Sequence, residues 1–497
     1  MPSRPLPFYP VLLGCFPALS LLSTNVGDAR FNEIWLLAAV VASLAAVLWL
    51  ALYPVFREHH KVALLIAAFW IPFHAYGALA DGLKAGLREP DVSPLPPLAA
   101  AAFLGIAGLT LAAALLRTRR DLAPATGALN KVALCLIAVP LVTYGLAVRG
   151  QSSPVRPSAP ADGPALTQEM LDTFPDIYYI IPDSYPRADV LLETFGLDNT
   201  PFLDALKERG FHVVDDSYSN YPKTQMSLAS SMNLDYLDPD HVEAEWNKGL
   251  PDFVSQIWDN KVMDFLAGHG YEFPTFSSGV AATEIDGGRF VKPDTFALSE
   301  LQRVYIAMTP FRSPVERLAR SGEANRILFV LEELGKIRRG DRPMFVFAHL
   351  MSPHLPHTFD AEGNTLAEVP PYYEGFRDAT LCLNERFLLM IDRIRKRQPN
   401  SIIIIQGDHG CRSDWQSTAG RDLIPWEGTK EEYILDYTAV LNTIYFPDGD
   451  YRAFYPGITP VNTFRIVFNK YFGTDYELLP DKTFLTFQDS DVIEEVP

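Results

Sequence analysis

The run Ser401-Ile402-Ile403-Ile404-Ile405-Gln406-Gly407-Asp408-His409-Gly410 decides the fold. Four consecutive β-branched apolar residues suit a strand buried on both faces, the habit of a central strand in a parallel sheet. The strand ends in a carboxylate and an imidazole between two glycines, which allow close backbone approach. Open α/β sheets bind ligands beyond the carboxyl ends of their strands, so Asp408 and His409 are candidate metal ligands. The competing reading is a plain turn with a surface Asp and a capping His, and the isoleucine run argues against it.

Working outward, strands and helices alternate. Asp176 to Pro182 (DIYYIIP), Phe211 to Asp215, Tyr271 to Phe276, Met344 to Leu350 and Val440 to Phe446 read as further strands. Helices are expected over Arg187 to Arg209 with a break near Gly196, Thr224 to about Met232, Asp252 to Gly268, Leu298 to Ile337 with a break at Pro310 to Pro314, and Tyr373 to Lys396. Such alternation predicts an α/β/α sandwich with a largely parallel sheet.

The chain has 497 residues and a net charge of −18, unevenly distributed. Residues 1–150 carry 11 Lys+Arg against 7 Asp+Glu (+4), and the remainder carries 31 against 53 (−22). An acidic C-terminal part argues against nucleic acid as a partner. The four cysteines, Cys15, Cys135, Cys382 and Cys411, form no CxxC and no close pair, so neither a zinc knuckle nor a disulfide framework is indicated.

Five apolar segments precede the acidic part: Phe8 to Leu22, Ile34 to Phe56, Val62 to Ala80, Leu98 to Leu116 and Val132 to Val148. Most approach the ~20 residues that cross a bilayer core. The first is shorter and holds Pro10 and Pro17; it is read as a span rather than a signal-peptide core. Arg57 and Lys61 lie between the second and third segments, and Arg117, Arg119 and Arg120 between the fourth and fifth. The positive-inside rule makes those loops cytoplasmic and places everything after the fifth span outside. Charges are nearly absent from the spans, and His74, the one polar exception, reads as hydrogen-bonded packing. The expected division is a five-helix transmembrane domain (1–149), a Pro/Ser-rich linker (150–165) and an extracytoplasmic catalytic domain (166–497). The membrane would be a cell inner membrane or plasma membrane.

Three predicted strands end in residues with ligand or proton-transfer capacity. Asp183 follows the first, His349 with His354 and His357 follows another, and Asp408-His409 ends the opening run. Carboxylates with an imidazole suit one divalent cation, Mn²⁺, Mg²⁺ or Zn²⁺. Asp183 has the alternative role of capping the next helix. In Asn220-Tyr221-Pro222-Lys223-Thr224-Gln225-Met226-Ser227, Thr224 stands where a helix begins: it is either an N-cap or a nucleophile beside a phosphate held by the helix N-terminus. Lys223 would add positive charge, and Ser227 is an alternative nucleophile one turn on. Arg412 is an anion contact or a solvated surface cation.

These residues resemble a family. Asp183, Thr224 in Pro-Lys-Thr-x-x-Ser, His354 in Ser-Pro-His-Leu-Pro and Gly407-Asp408-His409-Gly410 are similar to the alkaline phosphatase/sulfatase superfamily, and most of all to its membrane-anchored branch of lipoteichoic acid synthases and lipid A phosphoethanolamine transferases. The resemblance implies a metal held by Asp183, Thr224, Asp408 and His409, a phospho-threonine intermediate on Thr224, and phosphoryl binding or leaving-group protonation by His354, His349 or His357. Two departures bear on it. The transferase branch usually has Glu where this chain has Asp183, and Tyr-Pro-Lys-Thr-Gln-Met lacks the Cys/Ser-x-Pro-x-Arg that sulfatases need for formylglycine, which disfavours a sulfate ester.

The expected function is metal-dependent transfer of a phosphoethanolamine- or phosphoglycerol-type headgroup from a phospholipid donor to an envelope glycan or lipid acceptor. The alternatives are an anchored phosphodiesterase or phosphatase of the same fold and a catalytically inactive envelope binding module.

Overall fold

The computed structural model describes residues 5–26, 29–87, 95–149, 167–238, 253–285, 287–294, 297–366, 368, 370–413, 428–486 and 493–496. The expected linker, 150–165, lies outside the described residues. The chain divides into two compact units, Met1–Gln151 with Leu298–Ala319, and Ser152–Ala297 with Arg320–Pro497. A contiguous boundary after the fifth apolar segment leaves out the first unit's second piece.

In the first unit, α1 (Tyr9–Thr24), α2 (Ile34–Phe56), α3 (His59–Leu87), α4 (Leu95–Arg117) and α5 (Ala123–Val148) follow the five apolar segments. Among the described residues, four stretches are long and apolar enough to cross a membrane: Phe31–Phe56, His59–Leu83, Pro97–Arg117 and Ala123–Val148. Helix α1 has 16 residues, about 24 Å at ~1.5 Å per residue against a hydrocarbon core of ~30 Å. The five-span expectation therefore reduces to four long apolar helices and a short one. The protein is a membrane protein.

The second unit is built on a seven-stranded sheet of order β2-β7-β6-β1-β5-β3-β4. Its strands are β1 (Asp176–Pro182), β2 (His212–Val213), β3 (Phe273–Phe276), β4 (Gly288–Val291), β5 (Phe345–Leu350), β6 (Ser401–Gln406) and β7 (Asn442–Tyr445). Strand β1 lies parallel between β5 and β6, with Ile180 opposite Ala348 and Ile405. Strand β7 runs antiparallel to β6, and β2 antiparallel to β7. The sheet is thus mixed and mostly parallel. A separate hairpin joins Thr483–Thr486 to Ile493–Val496.

The isoleucine run behaves as its composition dictates. Ile403 and Ile405 pack on one face with Tyr178, Ile180, Val346 and Leu383, while Ile402 and Ile404 pack on the other with Ile177, Tyr179, Phe345 and Phe464. Alternate side chains of a strand point to opposite faces, so helices such as Tyr372–Arg397 cover one side and Thr463–Phe472 the other. The result is a three-layer sandwich in which β1, β5 and β6, side by side, deliver their carboxyl ends to one edge.

Sequence boundaries moved where propensity was overridden. The helix expected over Asp252 to Gly268 is two, Phe253–Trp258 and Lys261–Gly268, because Asn260 caps the second by accepting from Met263 N at 2.8 Å. The Leu298 to Ile337 region is two helices, Glu300–Ala307 and Arg312–Leu334, with the expected break falling at 308–311.

Candidate metal centre and active site

The edge shared by β1, β5 and β6 gathers the chemistry. Asp183, Asp408 and His409 are buried, and each offers a ligand atom within 4.8 Å of the others. The His409 ring is fixed by its own loop: Nδ1 lies 2.8 Å from Gly410 O, and an N–H donated there leaves a lone pair on Nε2. That Nε2 is 3.7 Å from Asp183 Oδ1 and 3.6 Å from Asp408 Oδ2. A lone pair and two carboxylates facing one another in a buried space is a donor set that could hold a divalent cation. Asp408 Oδ2 has no hydrogen-bond partner among the described residues, which fits the same reading.

Backbone geometry sets this arrangement. Ser184 takes a left-handed conformation, φ 62°. From there its N–H donates to Asp408 Oδ1 at 3.0 Å and its hydroxyl to Asp183 Oδ1 at 3.0 Å. On the other side the chain after His409 is clamped to helix Lys430–Thr438. Gly410 N donates to Tyr437 O at 2.9 Å, and a Cβ on Gly410 would sit 2.3 Å from Asp436 O, so only glycine permits the approach. The Asp436 carboxylate accepts from Cys411 Sγ and Ser413 N. Burial, then the neighbouring Asp436, pushes the Cys411 thiol well above its usual range, so it is an inert packing thiol.

Thr224 is the first residue of helix Thr224–Asn233, and Lys223 stands at the N-cap without a side-chain cap hydrogen bond. The threonine hydroxyl is 3.3 Å from His409 Nε2, beside the carboxylates and at the positive end of the helix dipole. Ser227, one turn on, is buried within the helix.

The three histidines have different surroundings. His349 Nε2 is 3.3 Å from Asp183 Oδ2 and 3.9 Å from Asp408 Oδ2, and its Nδ1 is 2.9 Å from Thr283 Oγ1. His354 donates its backbone N–H to Asp183 O at 3.3 Å, with Nδ1 2.6 Å from Leu355 O. Burial alone would raise the Asp183 carboxyl, but His354, His349 and His409 hold it well below the usual carboxylate range. His357 is set among aromatic rings, its centroid 5.5 Å from Tyr372 and 6.0 Å from Phe376. Burial, helped by His354, lowers its pKa to about 3, so the ring is neutral at physiological pH. Arg412 adopts a left-handed φ of 50° with its guanidinium 5.4 Å from the Tyr437 ring centroid.

Sequence reasoning missed Ser184, Thr283 and Asp436. Ser184 adjoins a candidate ligand and could have been suspected; Thr283 and Asp436 sit in segments whose patterns carry no signal for the site.

Residues 175–464, more than half of the chain, match the sulfatase family profile. The chain belongs to the sulfatase family. Its catalytic unit has the alkaline-phosphatase-like architecture of that superfamily, and the protein is an enzyme, a sulfatase-like phosphotransferase or hydrolase. No curated relative matches the sequence. Solved structures similar to this sulfatase-family chain include the integral membrane lipooligosaccharide phosphoethanolamine transferase A of Neisseria meningitidis, at 13% identity over 92% of this chain and 94% of that one, TM-score 0.38. The C-terminal periplasmic domain of EptC from Escherichia coli, in complex with Zn, is similar at 13% identity over 59% and 81%, TM-score 0.39. A sulfatase of Bacteroides thetaiotaomicron is similar at 13% over 65% and 83%, TM-score 0.38.

Proposed function

We propose that the protein is a metal-dependent transferase that moves a phosphoethanolamine- or phosphoglycerol-type headgroup from a phospholipid to an envelope glycan or lipid through a phospho-threonine. The observation that carries this reading is the Thr224 hydroxyl, 3.3 Å from His409 Nε2 at the start of a helix and beside two buried carboxylates. A hydroxyl there has an attacking position, and the helix N-terminus holds the anion it attacks.

Asp183, Thr224, Asp408 and His409 would hold one divalent ion, Mn²⁺, Mg²⁺ or Zn²⁺. When bound, it supplies charge to the phosphoryl oxygens and acidifies the threonine hydroxyl. The Thr224 oxygen, deprotonated before the cycle begins, attacks the donor phosphorus, the bond from phosphorus to the diacylglycerol oxygen breaks, and that oxygen takes a proton from His354. The acceptor hydroxyl then attacks phosphorus, returns a proton to His354 and releases Thr224 as the alkoxide it began as, so no net proton is exchanged. Lys223, Arg412 and His349 bind the phosphoryl oxygens in this scheme.

In this reading the apolar segments of 1–149 lie in a cell inner or plasma membrane with the basic loops facing the cytoplasm, and the catalytic domain (166–497) lies on the extracytoplasmic side, at the leaflet that holds both substrates. The hydrolase alternative shares the first half-reaction, with water as acceptor.

The test uses purified full chain with fluorescent phosphatidylethanolamine and phosphatidylglycerol, with and without Mn²⁺ or Zn²⁺. Metal-dependent release of diacylglycerol is expected, with the phosphoethanolamine or phosphoglycerol adduct on Thr224 detectable by mass spectrometry. Thr224→Ala should lower turnover by at least ~10³-fold, the scale of losing a nucleophile; full activity in that variant would sink the assignment. Headgroup that leaves only as a free phosphoester, whatever acceptor is added, would select the hydrolase.

A further inference from the structure

The stretch Leu298–Ala319 lies between two parts of the catalytic unit in sequence, yet it packs with the apolar helices. It comprises helix Glu300–Ala307 and the first turns of helix Arg312–Leu334. Five contacts fasten it. Ser299 Oγ donates to the Glu33 carboxylate and Gln302 Nε2 to Glu33 O, at the start of α2. Arg312 pairs with Asp81 at 2.9 Å, towards the end of α3. Gly77 N lies 3.0 Å from Met308 O, and a Cβ on Gly77 would be 2.4 Å from Ala307 O, so the two backbones meet where no side chain intervenes. Finally, the Tyr305 hydroxyl reaches His74 Nε2 at 2.9 Å, while His74 Nδ1 donates to Trp70 O.

The last contact fixes a depth. His74 lies seven residues before Asp81 on α3, about 10 Å along a helix rising ~1.5 Å per residue. Tyr305 and Leu301 are buried there in one cluster with Leu37, Val41, Trp70 and Phe73. The outward side of the stretch is also apolar: Val304, Phe311 and Leu318 are 46%, 48% and 57% exposed. Phe311 stacks edge-on against Phe73, ring centroids 5.9 Å apart, and α3 itself carries the exposed Ile71. Arg303, Arg312 and Arg317 outnumber Glu300 and Glu316 here, in a chain of net charge −18.

We propose that Leu298–Ala319 is an interfacial membrane segment, with Val304, Phe311 and Leu318 seated in the headgroup–acyl boundary of a phospholipid bilayer. Apolar side chains exposed beside membrane helices, on a segment with an excess of arginine, are the chemistry such a boundary selects. Continuity with α3 favours lipid over a second copy of the chain as the occupant. The segment gives the chain a second membrane contact, far in sequence from residues 1–149, and this inference does not depend on the reaction proposed above.

The test needs no substitution. The full chain is reconstituted in phosphatidylethanolamine/phosphatidylglycerol vesicles containing a phospholipid with an acyl-chain diazirine, illuminated, and mapped by mass spectrometry. Peptides of 298–319 should carry lipid adducts at least ~10-fold more often than those of 372–397, as an interfacial helix would. Adducts confined to 9–148 overturn the proposal, as does protein–protein cross-linking of 298–319 to a second copy in place of lipid. In a second measurement, nitroxides at Val304→Cys and Leu318→Cys should be more accessible to oxygen than to a water-soluble nickel chelate, with the reverse at Leu192→Cys; equal behaviour at all three sites overturns it.

Discussion

At the candidate site, Thr283 holds a histidine from behind. It lies 2.9 Å from His349 Nδ1 and 2.8 Å from Ser278 Oγ, and so fixes which way the imidazole faces the Asp183 and Asp408 carboxylates. Thr283→Val keeps the shape and removes the partner; kcat should fall about 10-fold, the scale of misplacing a group that binds the phosphoryl oxygens, and Thr283→Ser should restore it. Unchanged kcat in the Val variant would show that His349 needs no such support. The histidines on the loop after β5 should divide by role. His354→Gln is expected to lower turnover by about 10²-fold or more, as loss of an acid–base group does, whereas His357→Asn, altering a neutral ring packed on Tyr372 and Phe376, should lower the melting temperature and leave kcat within a few-fold. At this scale, Asp408 and His409 were legible in the sequence because an unbroken isoleucine run pointed at them. Thr283 was not, since it meets a histidine 66 residues away through a fold that no local pattern encodes.

Among the elements, β1 has a weakness at its first residue. Asp176 is buried, and burial raises its pKa to about 6 in spite of the hydrogen bond from Met344 N at 2.8 Å and Arg339 at 3.7 Å. The folded state therefore binds a proton more tightly than the unfolded one, whose pKa is 3.8. Stability from this group is full below pH ~4 and is lost as pH rises through about 6. A shift of this size corresponds to about 3 kcal/mol at most. Asp176→Asn keeps an acceptor for Met344 N and should flatten that stretch of the stability–pH curve, measured by thermal unfolding at pH 5 and pH 7; an unaltered slope would mean that Asp176 is not its source. The central strands β1, β5 and β6 were readable because burial on both faces leaves an apolar run. Gly288–Val291, an exposed edge strand, leaves no such run, and the antiparallel sense of β7 is a matter of connection rather than composition. The helix Glu300–Ala307 was readable as a helix but not as a neighbour of α3, because its partner His74 is 231 residues away.

At the scale of the whole molecule, the charge division of +4 in residues 1–150 against −22 beyond motivates a topology that can be tested in intact cells. A cysteine at Glu58, between α2 and α3, should resist a membrane-impermeant maleimide, and one at Glu193, in the catalytic unit, should react; the inverse pattern would overturn the proposed orientation. The excursion Leu298–Ala319 also has a practical consequence for anyone who wishes to work with the catalytic unit alone. Leu301 and Tyr305 are 5% and 3% exposed only because membrane helices cover them. A truncation beginning at residue 166 uncovers both, together with Val304, Phe311 and Leu318, and so carries a greasy flank into the cytosol or the test tube. Such a fragment should sediment or hold detergent, and trimming that flank to polar residues is the first step towards a soluble, crystallisable enzyme.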